Sequence, residues 1–386
     1  MIQLQLIMVI QPLEWNDDWI NFKQNLPHQN TPYSKKNWGN ARHSLCSYQG
    51  KLKPAIAYHL IKTFVPNEGT VFDPFAGVGT IPFEAVLNNR FAYGMDISIM
   101  AYYIAQAKVG HSSHDLSCNY INRMEDYIRG NAISYKDYKK YATFGLNKKL
   151  TDYYEPNTFK EILAARKFTQ ETPPSNPSEM VVVSSLLHIL HGNRPYALSR
   201  KSHPITPYAP TGEFVYKNLI AKLREKTNRF YDKKNAVPLK YGQIFLQDST
   251  TEWPEQISEI DAIITSPPFF DSTRFYNANW IRLWFCGWEP EDFKTKPQLY
   301  IDERQKQNFD VYIPILKQAK ERLKSGGVFV FHLGKSSKCN MGEILQQKGR
   351  KWFNHSELFV ENVEHCNTFG ISDIGTVTDH QYLVLY

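Results

Sequence analysis

Residues Thr70–Thr80 read TVFDPFAGVGT, and a second stretch, Phe91–Asp96, reads FAYGMD. Each opens with a short apolar run suited to a buried strand and closes on an aspartate. Gly77 and Gly79 turn the chain after the first aspartate, and the residues from Thr80 to about Asn88 have helical composition and length. Ahead of this unit lies a helix over Pro54–Phe64, because proline is tolerated in a first helical turn. A further helix follows over Ile99–Val109. The order is therefore β-α-β-α, which predicts a parallel sheet with right-handed crossovers.

The sheet resumes far downstream. Gly242–Leu246 forms a third strand, ending in Gln247-Asp248, and Asp261–Phe270 reads DAIITSPPFF. The run Ala262-Ile263-Ile264 suits a strand buried on both faces, and the two prolines stop its ladder because neither has an N–H to donate. Ser266, Pro267, Pro268 and Phe269 then stand at a strand's carboxyl edge, where open α/β sheets bind their ligands. A helix over Val311–Leu323, a Gly326-Gly327 turn and the strand VFVFHL follow. Two last strand-like stretches, near Val363–Phe369 and Gln381–Tyr386, suggest a closing antiparallel hairpin. Residues 1–42 show no regular pattern and are expected to wrap the surface.

Between the halves, residues 111–240 are Tyr-rich and helical in runs near Phe159–Phe168, Met180–Leu190 and Phe214–Tyr231. They contain 21 Lys and Arg against 12 Asp and Glu, while the whole chain of 386 residues has a net charge of +7. The basic excess thus belongs to this insertion and points to a polyanionic partner. A long loop inside it, HGNRPYALSRKSHPITPYAPTG, has no apolar periodicity, as functional loops often do not. Three regions result: 1–110, a cofactor-binding half with its N-terminal segment; 111–240, the insertion; and 241–386, a catalytic half. The 5 cysteines are scattered without zinc spacing, so no structural metal and reduced thiols are expected. The apolar start MIQLQLIMVI lacks a basic flank and a cleavage site and is too short to span a bilayer, so the cytoplasm is the expected location.

A strand that ends on Asp73 and turns through two glycines into a helix offers backbone N–H groups, a helix N-terminus and a carboxylate at one point. The loop matches neither G-x-G-x-x-G nor G-x-x-x-x-G-K-[ST] and has no lysine, which argues against a dinucleotide or a nucleoside triphosphate. A leading aspartate suits a cationic group, and S-adenosylmethionine, with its ammonium and sulfonium, fits. Asp96, closing the second strand, suits the ribose hydroxyls. Asp248, closing the third, suits the adenine amino group.

Taken together, DPFAGVGT, YGMDIS, LQDS and DAIITSPPF resemble the exocyclic-amino DNA methyltransferases that use S-adenosylmethionine. Serine before Pro-Pro is similar to the cytosine-N4 group; the adenine-N6 enzymes carry Asp or Asn there. The resemblance implies a Rossmann-like methyltransferase sheet with a closing antiparallel hairpin, here carrying a large mainly helical insertion. It implies a cofactor loop of Asp73, Phe75, Gly77, Gly79 and Thr80. The upstream HSLCSYQGKLKPAIAYHLI is similar to the family motif that closes over the methionine end, which makes Tyr48, Lys51 and Pro54 cofactor-side candidates. The implied partner is double-stranded DNA, with a restriction endonuclease acting separately. The insertion does not fall where the family commonly places its target-recognition region. Its basic excess nonetheless makes Arg194, Arg200 and Lys201 candidates for phosphate or base contacts. Adenine-N6 methylation, an RNA amino methylase and a nucleic-acid-binding protein with an inactive core stay open as alternatives.

The chemistry expected at SPPF follows from the substrate. An exocyclic amino nitrogen is a poor nucleophile because its lone pair is delocalised into the ring. The Ser266 hydroxyl and the Pro267 carbonyl can accept from its two hydrogens and draw it toward tetrahedral geometry. Phe269 offers a face for a flipped base. The segment FYNANWIRLWFCGW reads as core for the most part, and His332 and Lys335 as bystanders on the same sheet edge.

Overall fold

The computed structural model describes residues 16–35, 38–48, 50–202, 208–232, 238–270, 272, 274–363 and 377–386. Among these, β1 (Thr70–Asp73), β2 (Phe91–Asp96), β3 (Gly242–Leu246), β4 (Ile260–Thr265), β5 (Leu323–Ser336), β6 (Ser356–Asn362) and β7 (Val377–Leu385) form a 7-stranded sheet in the order β3-β2-β1-β4-β5-β7-β6. The strands from β3 to β5 are parallel, and β7 runs antiparallel between β5 and β6. This is an α/β Rossmann-like sheet, closed by an antiparallel pair. The chain steps outward from β1 to β3 and then returns to lay β4 on the other side of β1. The switch point therefore lies between β1 and β4, the place where open α/β sheets bind ligands beyond the carboxyl ends of their strands.

The helices are α1 (Asp17–Asn25), α2 (Pro54–Phe64), α3 (Thr80–Leu87), α4 (Ile99–Val109), α5 (His114–Gly130), α6 (Tyr135–Ala142), α7 (Leu150–Tyr153), α8 (Pro156–Glu171), α9 (Pro177–Ile189) and α10 (Leu219–Phe230), then α11 (Phe275–Ala278), α12 (Trp280–Phe285), α13 (Asp292–Thr295), α14 (Ile301–Arg304), α15 (Ile313–Arg322) and α16 (Met341–Gly349). One apolar cluster, with Ile61, Val71, Ala105 and Ile264, lies under α2, α3 and α4; another, with Phe72, Ile263, Leu316 and Leu345, lies under α15 and α16. The insertion is not packed apart from the sheet. Met100 and Ile104 of α4 share a third cluster with Tyr120, Leu163 and Leu186 of the insertion and with Trp284 of α12.

Four expectations are corrected. The N-terminal segment holds α1, whose Asn16 cap accepts from the Trp19 N–H at 2.9 Å and whose Trp19 and Phe22 are buried. The insertion begins with α5, whose Ser117, Tyr120, Ile121 and Met124 are buried at helical spacing. Gly326 and Gly327 lie inside β5, where pairing with β4 slips between Ile260 and Ala262, so they form an irregularity of the strand and not a turn. The hairpin strand sought at Val363–Phe369 lies earlier, at Ser356–Asn362, with residues 364–369 outside the described set.

Candidate active site

The sheet order brings together the two stretches that the sequence keeps far apart. Asp73 ends β1 and Thr265 ends the neighbouring β4, and the Thr265 hydroxyl donates to Asp73 Oδ1 at 2.6 Å. The Phe75 N–H donates to the same oxygen at 3.0 Å, while Oδ2 accepts nothing among the described residues. Asp73 is 2 % exposed, and that burial pushes its carboxyl up to about 7 against these bonds. Ser266, the next residue after Thr265, is thereby anchored beside the glycine turn.

That turn is held from β2. Asp96 accepts from the Gly77 N–H at 2.9 Å and the Ser98 N–H at 2.8 Å, yet burial still raises it to about 6. Gly79 sits at φ +69, and a Cβ there would lie 2.8 Å from Ala105 Cβ, so glycine lets α3 approach α4. Thr80 opens α3 and is buried, and Phe75 packs near Tyr312, with ring centroids 6.0 Å apart. Tyr48 reaches the turn from the upstream motif, its hydroxyl 3.7 Å from where a Gly77 Cβ would stand. Burial, then the charge of Asp96, raises its phenol well above the usual range. Lys51 instead donates to the His43 carbonyl at 3.0 Å, and Pro54 occupies the first turn of α2.

Asp248 stands one strand further out. Its Oδ1 accepts from the Thr250 N–H and hydroxyl at 2.9 and 2.8 Å, and its Oδ2 pairs with Arg304 Nη1 at 2.8 Å. The next residue, Ser249, donates to the Pro74 carbonyl and ties this loop to the turn after β1.

Around SPPF, Gln305 Nε2 donates to the Pro268 carbonyl at 2.9 Å, and the Tyr312 hydroxyl holds Gln305 Oε1 at 2.8 Å. The Pro267 carbonyl accepts from no described residue, and Ser266 Oγ lies 3.0 Å from His332 Nδ1. Phe269 is half-buried and packs on Gly334, where an added Cβ would lie 2.5 Å from its ring. A wall of Tyr48, Phe275 and Tyr300, with successive centroids 5.7 and 5.3 Å apart, stands beside the glycine turn. Thr265, Gln305 and Tyr300 escape sequence reasoning because their roles depend on which strands and helices adjoin. His332 is a different matter: strand alternation could have paired it with Ser266.

The insertion candidates divide. Arg200 braces its own loop, donating to the Gly212 and Asp152 carbonyls at 2.9 and 3.1 Å and lying 4.2 Å over the Phe214 ring. Arg194 and Lys201 are exposed. His203, in the same quoted loop, lies outside the described residues. Among the described residues no group of three or more His, Cys, Asp or Glu could hold a metal, and no helix is long and apolar enough to cross a membrane. A cleft of about 180 Å³ lined by Tyr33, Tyr58, His59 and Lys62 contains none of the strand-end residues.

The residues present fit S-adenosylmethionine: a carboxylate with one oxygen that accepts from no described residue for an ammonium, a second at the end of β2 for hydroxyls, and a glycine turn lined by Tyr48. No curated protein matches the chain. Among solved structures, an rRNA methylase from Streptococcus thermophilus is 7% identical, with 87% of this chain and 97% of that chain covered and a TM-score of 0.33. TrmN from Thermus thermophilus is 11% identical, with 90% of this chain and 52% of that chain covered and a TM-score of 0.33. The Type ISP restriction-modification enzyme LlaGI, solved with a DNA substrate mimic, is 13% identical, with 82% and 20% covered and a TM-score of 0.26. Residues 13–107, which include Tyr48, Asp73 and Asp96 and end well before SPPF, match the model of the N6_N4_Mtase family, described as DNA methylase.

Proposed function

We propose that the protein is a DNA methyltransferase that moves a methyl group from S-adenosylmethionine to the exocyclic N4 of cytosine at a specific duplex site, as the modification partner of a separate restriction endonuclease. The observation that carries this is the Thr265–Asp73 hydrogen bond at the switch point, which joins the cofactor turn to the SPPF loop. The family match over the cofactor half and the sheet order support the same reading.

Bound there, S-adenosylmethionine supplies an electrophilic methyl group on a cationic sulfur. Asp73 balances the ammonium, Asp96 the ribose hydroxyls, and Tyr48 covers the turn. Ser266 Oγ and the Pro267 carbonyl accept from the two amino hydrogens, and rigid Pro268, its own carbonyl fixed by Gln305, keeps the second acceptor in place. Both acceptors are preorganised, so their contribution grows as the nitrogen lone pair develops. Phe269 presents the face of its ring turned away from Gly334 to a flipped base. Asp248, paired with Arg304, would meet the adenine amino group only through that ion pair. Exposed Arg194 and Lys201 contact phosphates, while Arg200 shapes the loop that carries them.

Incubation with tritiated S-adenosylmethionine and either duplex DNA or RNA tests this. Label is expected in DNA, and Ser266→Ala should lower the transfer rate about a hundredfold or more with little change in cofactor affinity. Label in RNA alone, or full activity in Ser266→Ala, would overturn it.

A further inference from the structure

The register of the central strands places a histidine behind the serine. Ile264 pairs with Val330 and Thr265 with Phe331, so Ser266 stands opposite His332. Side chains alternate along a strand, and both residues therefore point to the face shared by Ile264 and Val330. Ser266 Oγ and His332 Nδ1 lie 3.0 Å apart, and His332 is 3 % exposed.

The groups facing His332 come from every neighbouring element. Tyr382 of β7 pairs directly with it, His380 stands two residues earlier, and their rings lie 5.2 and 4.7 Å from its own. Glu361 of β6 accepts from the Tyr382 hydroxyl at 2.7 Å and contacts His28 of the N-terminal segment at 2.8 Å. Burial pushes Glu361 up, but hydrogen bonds from His28, Tyr382 and Gln29 outweigh it and hold its carboxyl at about 2. Burial, with His380 next, keeps His332 well below the ordinary histidine range. The ring of His332 is thus neutral, and Nε2 is buried without a hydrogen-bond partner among the described residues. The ring backs a half-buried serine at the carboxyl edge of β4, with Nδ1 directed at its hydroxyl.

We infer that His332 is the positioning residue of Ser266: it holds the hydroxyl proton on the Nδ1 side, so that the oxygen's lone pairs face the substrate amino group, and it receives that proton as the nitrogen is methylated. This rests on the role of Ser266 proposed above. The N–C bond forms as the methyl carbon leaves sulfur, whose bonding pair stays on sulfur. The amino proton passes to Ser266 Oγ while the serine proton passes to Nδ1, leaving an imidazolium facing the anionic Glu361. The proton then leaves to solvent and restores the neutral ring.

The pair can be tested apart from the reaction. In ¹⁵N-histidine spectra of the ligand-free chain, the resonance lost in His332→Asn should report a neutral ring protonated on Nε2, and Ser266→Ala should shift its Nδ1. A ring protonated on Nδ1, or one indifferent to Ser266→Ala, would overturn the inference whatever the substrate. Single-turnover transfer from tritiated S-adenosylmethionine to phage DNA from a methylase-free host supplies the second arm. His332→Asn, which keeps an amide at the Nδ1 position but cannot take a proton, should slow transfer on the order of a hundredfold. Its cofactor affinity should be unchanged, and its rate should rise with pH where the parent's is flat. A variant as fast as the parent, or equally flat with pH, contradicts the inference. A parent that labels no DNA contradicts the proposed function instead, and the spectra still decide the pair.

Discussion

Burial drives Asp73 up to about 7 even though Thr265 and the Phe75 N–H both donate to it. A neighbouring ammonium acts in the opposite direction, because an opposite charge favours the ionised form. Below pH 7 the cofactor must therefore displace a proton from Asp73 in order to bind. The expected result is an affinity for S-adenosylmethionine that falls by up to about tenfold per unit as pH drops below 7, and that is level above it. Calorimetry in buffers of different ionisation enthalpy should show proton release near pH 6 to 7. The Asp73→Asn variant should bind weakly and lose both the release and the slope.

At the scale of elements, the glycine turn is set by a contact the sequence does not display. The need for glycine at position 79 comes from its φ of +69 and from Ala105 on α4, 2.8 Å from an added Cβ. Gly79→Ala should cost about 1–3 kcal/mol from backbone strain and overpacking together, read as a lower denaturant midpoint at unchanged slope. What was legible was what lies within one element. Thr70–Asp73, Phe91–Asp96, Gly242–Leu246 and Ile260–Thr265 match their strands because each is a short apolar run with a clear stop. The helix α1 was hidden because its apolar residues are few and spread among polar ones; Trp19 and Phe22 find their burial against Phe64 and the distant β6–β7 pair, whereas α5 carries Tyr120, Ile121 and Met124 at helical spacing and was legible in the sequence. Asp73 and Asp96 were legible as strand ends, while Asp248 stands two residues beyond Leu246, the last residue of β3. Their partners, Thr265 for Asp73 and Arg304 for Asp248, were not, since 192 and 56 residues separate them along the chain.

For the whole molecule, two sets of buried groups oppose each other as pH changes. Burial holds His59, His191 and His380 at about 4 and keeps His43, His188 and His332 well below 6.5. The unfolded chain binds more protons at these sites below pH 6.5, so they remove stability as pH falls through that window. Asp73 at about 7 and Glu84 at about 8 are raised by burial, so the folded chain holds their protons and loses stability as pH rises toward 8. The ligand-free protein should thus have its highest melting temperature between roughly pH 6 and 7. A monotonic profile from pH 5 to 8 would show that these groups are not buried as described. The basic insertion acts at the same scale. DNA affinity should fall steeply with salt, and Arg194→Ala and Lys201→Ala should each reduce the logarithmic salt slope by about 1 while leaving cofactor binding intact. The identity of the base is decided most directly by mass spectrometry of nucleosides from DNA incubated with the protein and S-adenosylmethionine bearing a deuterated methyl group. N4-methylcytosine carrying the label is the expected product, absent with Ser266→Ala; label on adenine N6, on cytosine C5 or on no base would contradict the proposed function.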